Sequence, residues 1–166
     1  MNNDTIFALS SGHGKSGVAV IRISGDNLRD IFTRFVFPFA GEGVSATADG
    51  VVVKTRHAYF CNLTDAAGDL IDQCLAIYFP APHSFTGTDI IELHTHGAPA
   101  TINATFEYLK TLGMRMATPG EFSRRAFYNN KMDLADVDGL AALLDAQTDM
   151  QRKSALRSMM GTDSEI

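Results

Sequence analysis

The sequence predicts an α+β fold: a mixed β-sheet with flanking helices, followed by a stretch that is helical throughout. Three observations carry this reading. β-Branched and alternating runs such as Val18–Ser24, Leu70–Phe79 and Asp89–His96 mark strands in the part before Thr118. Two stripes at helical spacing, Leu28/Ile31/Phe32/Phe35 and Ile102/Phe106/Leu109/Leu112, interrupt those strands. Beyond Thr118 the alternation stops and only helical periodicity remains, in the order expected of a sheet domain followed by the start of an all-helical one. The boundary is placed there, giving domains 1–118 and 119–166.

The elements follow in order. Thr5–Leu9 is a short apolar strand that runs into Ser10-Ser11-Gly12-His13-Gly14-Lys15-Ser16-Gly17, a loop. In the next strand Ala19, Ile21 and Ile23 share one face, while Val18, Val20 and Arg22 share the other. Ser24-Gly25-Asp26 offers a helix N-cap, and Pro38 stops the helix behind it. Residues 40–50, rich in Gly, Ala and Ser, read as a mobile loop. Val51–Leu63 and Leu70–Phe79 read as two strands joined across Asp65-Ala66-Ala67-Gly68-Asp69. Asp89–His96 alternates, with Ile91 and Leu93 on one face and Glu92, His94 and His96 on the other. Pro99 suits the first turn of a helix that Gly113 closes, and Met114–Ala117 is a last short strand. Glu121–Asn129 and Leu134–Met160 are helical, with Leu134, Val137, Leu140 and Leu144 on one stripe.

Composition narrows the function classes. The chain has 166 residues, 45% hydrophobic and 20% charged, which excludes a disordered segment. Its net charge of −5 excludes a whole-domain basic footprint for nucleic acid, so any RNA contact must be local. Cys61 and Cys74 lack CxxC spacing and lie in apolar, strand-like runs, where they read as buried free thiols. No basic leader precedes the first strand, and no apolar run approaches the roughly 20 residues of a membrane span. A cytoplasmic protein is expected.

Gly14-Lys15-Ser16 resembles the end of a phosphate-binding loop, GxxxxGK(S/T), but position 9 is Leu9 rather than glycine. Such a loop must also open a helix, whose N-terminal amides cradle phosphate, and this one runs into a strand. GTP hydrolysis is not expected of this chain.

Three features could carry chemistry. Arg22 puts a guanidinium into an apolar strand, where it must meet solvent, a partner carboxylate or a bound anion. Glu92, His94 and His96 share a strand face, as zinc ligands or as hydrogen-bonded residues of a polar pocket. Arg124, Arg125 and Lys131 gather positive charge in an otherwise acidic chain, on a solvated helix face or at a ligand.

Five segments in order resemble the MnmE (TrmE) family of tRNA-modification GTPases. They are Asp4–Ala8, Ala19–Gly25, Pro82–Gly87, Ile91–His94 with His96-Gly97, and Pro119–Phe122 with Arg125–Phe127 and Lys131–Ala135. The resemblance covers nearly the whole chain. It implies an N-terminal domain similar to the tetrahydrofolate-binding fold of the glycine-cleavage T-protein. That domain would bind a reduced one-carbon folate (5-formyl- or 5,10-methylene-tetrahydrofolate) and form a homodimer. Family members modify the wobble uridine of certain tRNAs with the flavoprotein MnmG (GidA). Their GTP, Mg and K sites lie in a GTPase domain inserted further along the full chain, absent from these residues. The family's folate contacts correspond to Arg22, Glu92 and Lys131. Thr95 stands where the family commonly has glycine. Two further readings remain: a purely structural dimerisation module, and a small metalloenzyme built on Glu92, His94 and His96.

Overall fold

The computed structural model describes residues 4–36, 44–47 and 50–160, and it is an α+β structure. Its chain divides into two compact units, one of residues 4–84 and 88–119, the other of residues 85–87 and 120–160.

The first unit is built on a six-stranded mixed sheet. Strands β1 (Ile6–Leu9), β2 (Ser16–Gly25), β5 (Tyr59–Thr64), β6 (Leu70–Phe79), β7 (Asp89–Gly97) and β8 (Arg115–Met116) lie in the order β5-β6-β7-β2-β1-β8. All neighbours are antiparallel except β1 and β8, which are parallel. Strands β3 (Val44–Thr47) and β4 (Gly50–Val53) form a separate antiparallel pair.

One face of the large sheet is the core face. Ile21, Ile23, Cys61, Leu63, Ala76, Tyr78, Ile91 and Leu93 are buried there with Phe32 and Phe35 of α1 (Arg29–Val36) and Leu109 of α2 (Pro99–Thr111). The strand alternation seen in the sequence is therefore the division between this face and the opposite one. Phe32 stacks on Tyr78 and meets Tyr59 edge-on, which fixes α1 over β5 and β6.

Local chemistry explains the turns. Asp65 Oδ1 accepts from the backbone N–H groups of Ala67 and Asp69, and Gly68 takes a φ of 90°, closing the β5–β6 hairpin. Pro99 begins α2 where no N–H is needed, and Gly113 ends it in the left-handed region, with its N–H on the Lys110 carbonyl.

Several expectations need correction. The run Val51–Leu63 is not one strand: β4 ends at Val53 and β5 begins at Tyr59. Between them Arg56 adopts a φ of 54°, and the Lys54 N–H donates to the Tyr59 hydroxyl, so the backbone turns out of extended geometry. Of the loop read at 40–50, residues 44–47 and 50 are in strands; the remainder, like the helix stop at Pro38, lies outside the described residues.

The second unit holds α3 (Glu121–Tyr128), α4 (Leu134–Asp145) and α5 (Asp149–Met159). The single run Leu134–Met160 is thus divided at 146–148. Each of the two later helices opens with a capping box, Asp133 with Asp136 and Thr148 with Gln151, which satisfies the first-turn amides. Gly139 is buried where α4 crosses α5 beside Ala155 and Met159. The stripe on α4 is largely uncovered, with Leu134 66% and Leu144 78% exposed. Phe85–Gly87 belongs to this unit through Asn129, whose amide donates to the Thr86 carbonyl at 2.6 Å.

Candidate functional site

Arg22 and Glu92 are cross-strand partners at the centre of the sheet, on β2 and β7. Residues directly opposite in an antiparallel pair project to the same side, and both leave the core face, as does His94 two positions further along β7. The neighbouring rows add Ile77 beside Glu92, and Leu75 and Val20 beside His94. The result is a polar cluster set in an apolar surround.

Its geometry is specific. Arg22 Nε and Nη2 both donate to Glu92 Oε1, at 3.0 and 2.8 Å. The other oxygen, Oε2, lies 3.2 Å from His94 Nε2. The Arg22 and Glu92 side chains are 27% and 15% exposed, so the pair is half-buried rather than sealed. Burial by itself pushes the Glu92 carboxyl up. Hydrogen bonds from His94 and Arg22, with the charges behind them, outweigh it and hold the group below the usual carboxylate range. Glu92 is an anion with two differently engaged oxygens.

His96 is turned elsewhere. Its Nδ1 lies 2.7 Å from Asp72 Oδ1, and its backbone N–H donates to Asp72 Oδ2. The alternative Glu92/His94/His96 ligand set therefore does not converge. Among the described residues no group of three or more His, Cys, Asp or Glu side chains is placed to hold a metal ion.

Lys131 belongs to the second unit, just after α3, with its backbone N–H on the Ala126 carbonyl. Its side-chain carbons run along Gly87, whose φ of 81° and lack of a Cβ leave room for Lys131 and Asn129.

One role was left open by the sequence and one residue escaped it. His94 was left between a metal ligand and a hydrogen-bonded pocket residue; the structure makes it the second partner of Glu92. Asp89, buried at the start of β7, accepts from the backbone N–H groups of Leu28 and Ala81, at 3.0 and 2.9 Å. It thereby ties the entry of α1 and the backbone at Ala81 to the strand that carries Glu92. Burial and the Asp89 carboxylate together push the nearby Tyr78 hydroxyl up to about 12. An acid opening a strand after a Pro/Ser/Thr/Gly-rich segment was the available signal.

No described helix is long and apolar enough to cross a membrane. The family described as "GTP-binding protein TrmE N-terminus" matches residues 5–131. Among curated proteins, the tRNA modification GTPase MnmE of Bartonella henselae is 44% identical over 164 residues, covering 98% of this chain and 34% of that protein. Its namesake from Wolbachia sp. subsp. Brugia malayi is 48% identical over 162 residues, 97% of this chain and 34% of the relative. That of Dinoroseobacter shibae is 47% identical over 159 residues, with 95% and 34% covered. The chain spans about a third of the length of these curated relatives.

Proposed function

Because the chain belongs to the TrmE N-terminal family, we propose that it binds a reduced one-carbon folate and forms a homodimer, as the N-terminal part of a GTPase that modifies the wobble uridine of tRNA. The observation that carries the folate reading is Glu92: a half-buried carboxylate held ionised on an open sheet face. An amino-pyrimidine ring edge offers two parallel N–H donors, which an anionic carboxylate accepts as a planar fork. Apolar neighbours Val20, Leu75 and Ile77 suit the flat ring beside that fork. Arg22 and Lys131 suit the carbonyl oxygens or glutamate carboxylates of the same ligand.

When bound, the folate supplies the one-carbon unit. The residues here bind and orient it rather than act as nucleophiles, so their contribution is proximity. In the full-length protein the flavoprotein MnmG would be the partner and tRNA the substrate, in the cytoplasm. GTP, Mg and K would be handled by a GTPase domain beyond these residues.

The homodimer reading draws on apolar exposure. Phe60 and Leu75 are cross-strand partners on the same sheet face as His94, and they are 56% and 40% exposed. A structural dimerisation module without folate predicts the same dimer. Calorimetry with 5-formyltetrahydrofolate separates the two. Saturable heat that Glu92→Ala reduces at least tenfold in affinity supports the folate site; a folded dimer giving no heat rejects it. Sedimentation velocity tests the dimer independently.

A further inference from the structure

Cys61 and Cys74 are the only two cysteines of the chain, and β5 and β6 place them directly opposite one another. Their sulfur atoms are 3.5 Å apart. Both are free thiols buried on the core face, between Tyr59 and Leu63 on one strand and beside Ala76 on the other. We propose that this pair is a reversible thiol-oxidation site, closing to a cross-strand disulfide when the folded protein meets a peroxide.

Opposed residues of an antiparallel pair have Cβ atoms about 4.5–5.5 Å apart, whereas a disulfide asks for about 3.5–4.5 Å. Closure therefore requires a draw-in of about 1 Å, which the end strand can provide. β5 pairs only with β6 within the large sheet, so of the two strands that carry the cysteines it is the one that shifts or opens with fewer ladder bonds lost. Cys61 is the attacking sulfur. The hydrogen bond from the Cys74 thiol holds the Cys61 thiol below its ordinary pKa against the opposing effect of burial, while the same bond and burial push the Cys74 thiol up.

The chemistry balances with hydrogen peroxide as the oxidant. The Cys61 thiolate attacks one peroxide oxygen, the O–O bond breaks, and hydroxide leaves as water, giving a sulfenic acid. The Cys74 thiol then attacks that sulfur, the S–O bond breaks, and a second water carries away the oxygen. Two thiols lose two protons and two electrons; peroxide is reduced to two waters. A dithiol returns the pair to its reduced state by exchange.

The test treats the folded native chain with hydrogen peroxide, quenches with acid, then alkylates in denaturant before mass spectrometry. The expected product has lost two hydrogen masses and takes no alkyl group. Its Cys61 and Cys74 peptides are linked within one chain, and dithiothreitol restores two alkylatable thiols. Cys61→Ala and Cys74→Ala each abolish the two-hydrogen loss; should either fail to fold, the wild-type peptide map still decides. Two alkylated cysteines after a dose that oxidises free dithiothreitol, or a bond between two chains, would overturn the proposal.

Discussion

Arg22 places Nε and Nη2 on one oxygen of Glu92, leaving the other oxygen to His94. The carboxylate is thereby oriented from two strand positions and kept charged on a half-covered surface. A forked contact to a single oxygen is less demanding than a bidentate clamp on both. Oε2, with the single contact to His94, keeps a further lone pair toward which a donor ligand can approach.

Removing either side of this pair should cost stability as well as binding. Arg22→Ala leaves Glu92 with the His94 ring as a hydrogen-bond partner. The expected loss is about 1–2 kcal/mol, between the limits for exposed and buried pairs. Glu92→Gln keeps the shape and loses the charge, so it should cost about 1 kcal/mol of stability. Urea melts of both variants, beside wild type, measure these values.

The same geometry gives an acid dependence with a defined sign. Glu92 titrates lower in the folded chain than in the unfolded one. Its contribution is therefore present above the unfolded glutamate range and is lost as pH falls through the depressed folded value. Wild type should lose stability more steeply than Glu92→Gln as pH drops below the ordinary carboxylate range. Parallel acid curves for the two proteins would contradict this.

Asp89 should matter more than its distance from the candidate ligand contacts suggests. Its two oxygens satisfy the backbone N–H groups of Leu28 and Ala81. Asp89→Ala strands both and should destabilise by about 2–4 kcal/mol. Asp89→Asn retains one acceptor oxygen and should cost roughly half as much. Thermal denaturation of the two variants orders them.

Thr95 offers the opposite outcome. Its hydroxyl is buried on the core side of β7 and has no hydrogen-bond partner among the described residues. Thr95→Val keeps the β-branched shape and removes the unsatisfied oxygen, so it should stabilise by about 1 kcal/mol. A lower denaturation midpoint for Thr95→Val would show that the hydroxyl is satisfied in solution.

The local parts of the fold were legible because their signals are local. The alternation of Ile91, Glu92, Leu93 and His94 is a strand with two unlike faces, and Pro99 and Gly113 bracket a helix. What escaped is what depends on pairing across distance. The direct contact of Arg22 with Glu92 spans 70 residues and exists because β2 and β7 are neighbours, which no periodicity states. The break between Val53 and Tyr59 was hidden for another reason. Lys54-Thr55-Arg56-His57-Ala58 holds no Gly or Pro, yet Arg56 takes the left-handed conformation there. His96 shared a face with Glu92, as expected, but Asp72 from β6 captured its ring.

The route of the chain through its two units has a practical consequence. The backbone leaves the first unit after Ser84, contributes three residues to the second, returns at Thr88, and departs again after Pro119. A cut near Pro119 would leave Phe85–Gly87 on the first fragment, so the second unit would lose three of its own residues with the cut. Complementation between separately expressed pieces would thus have to rebuild the seat that Asn129 gives Thr86 before either piece regained its native boundary.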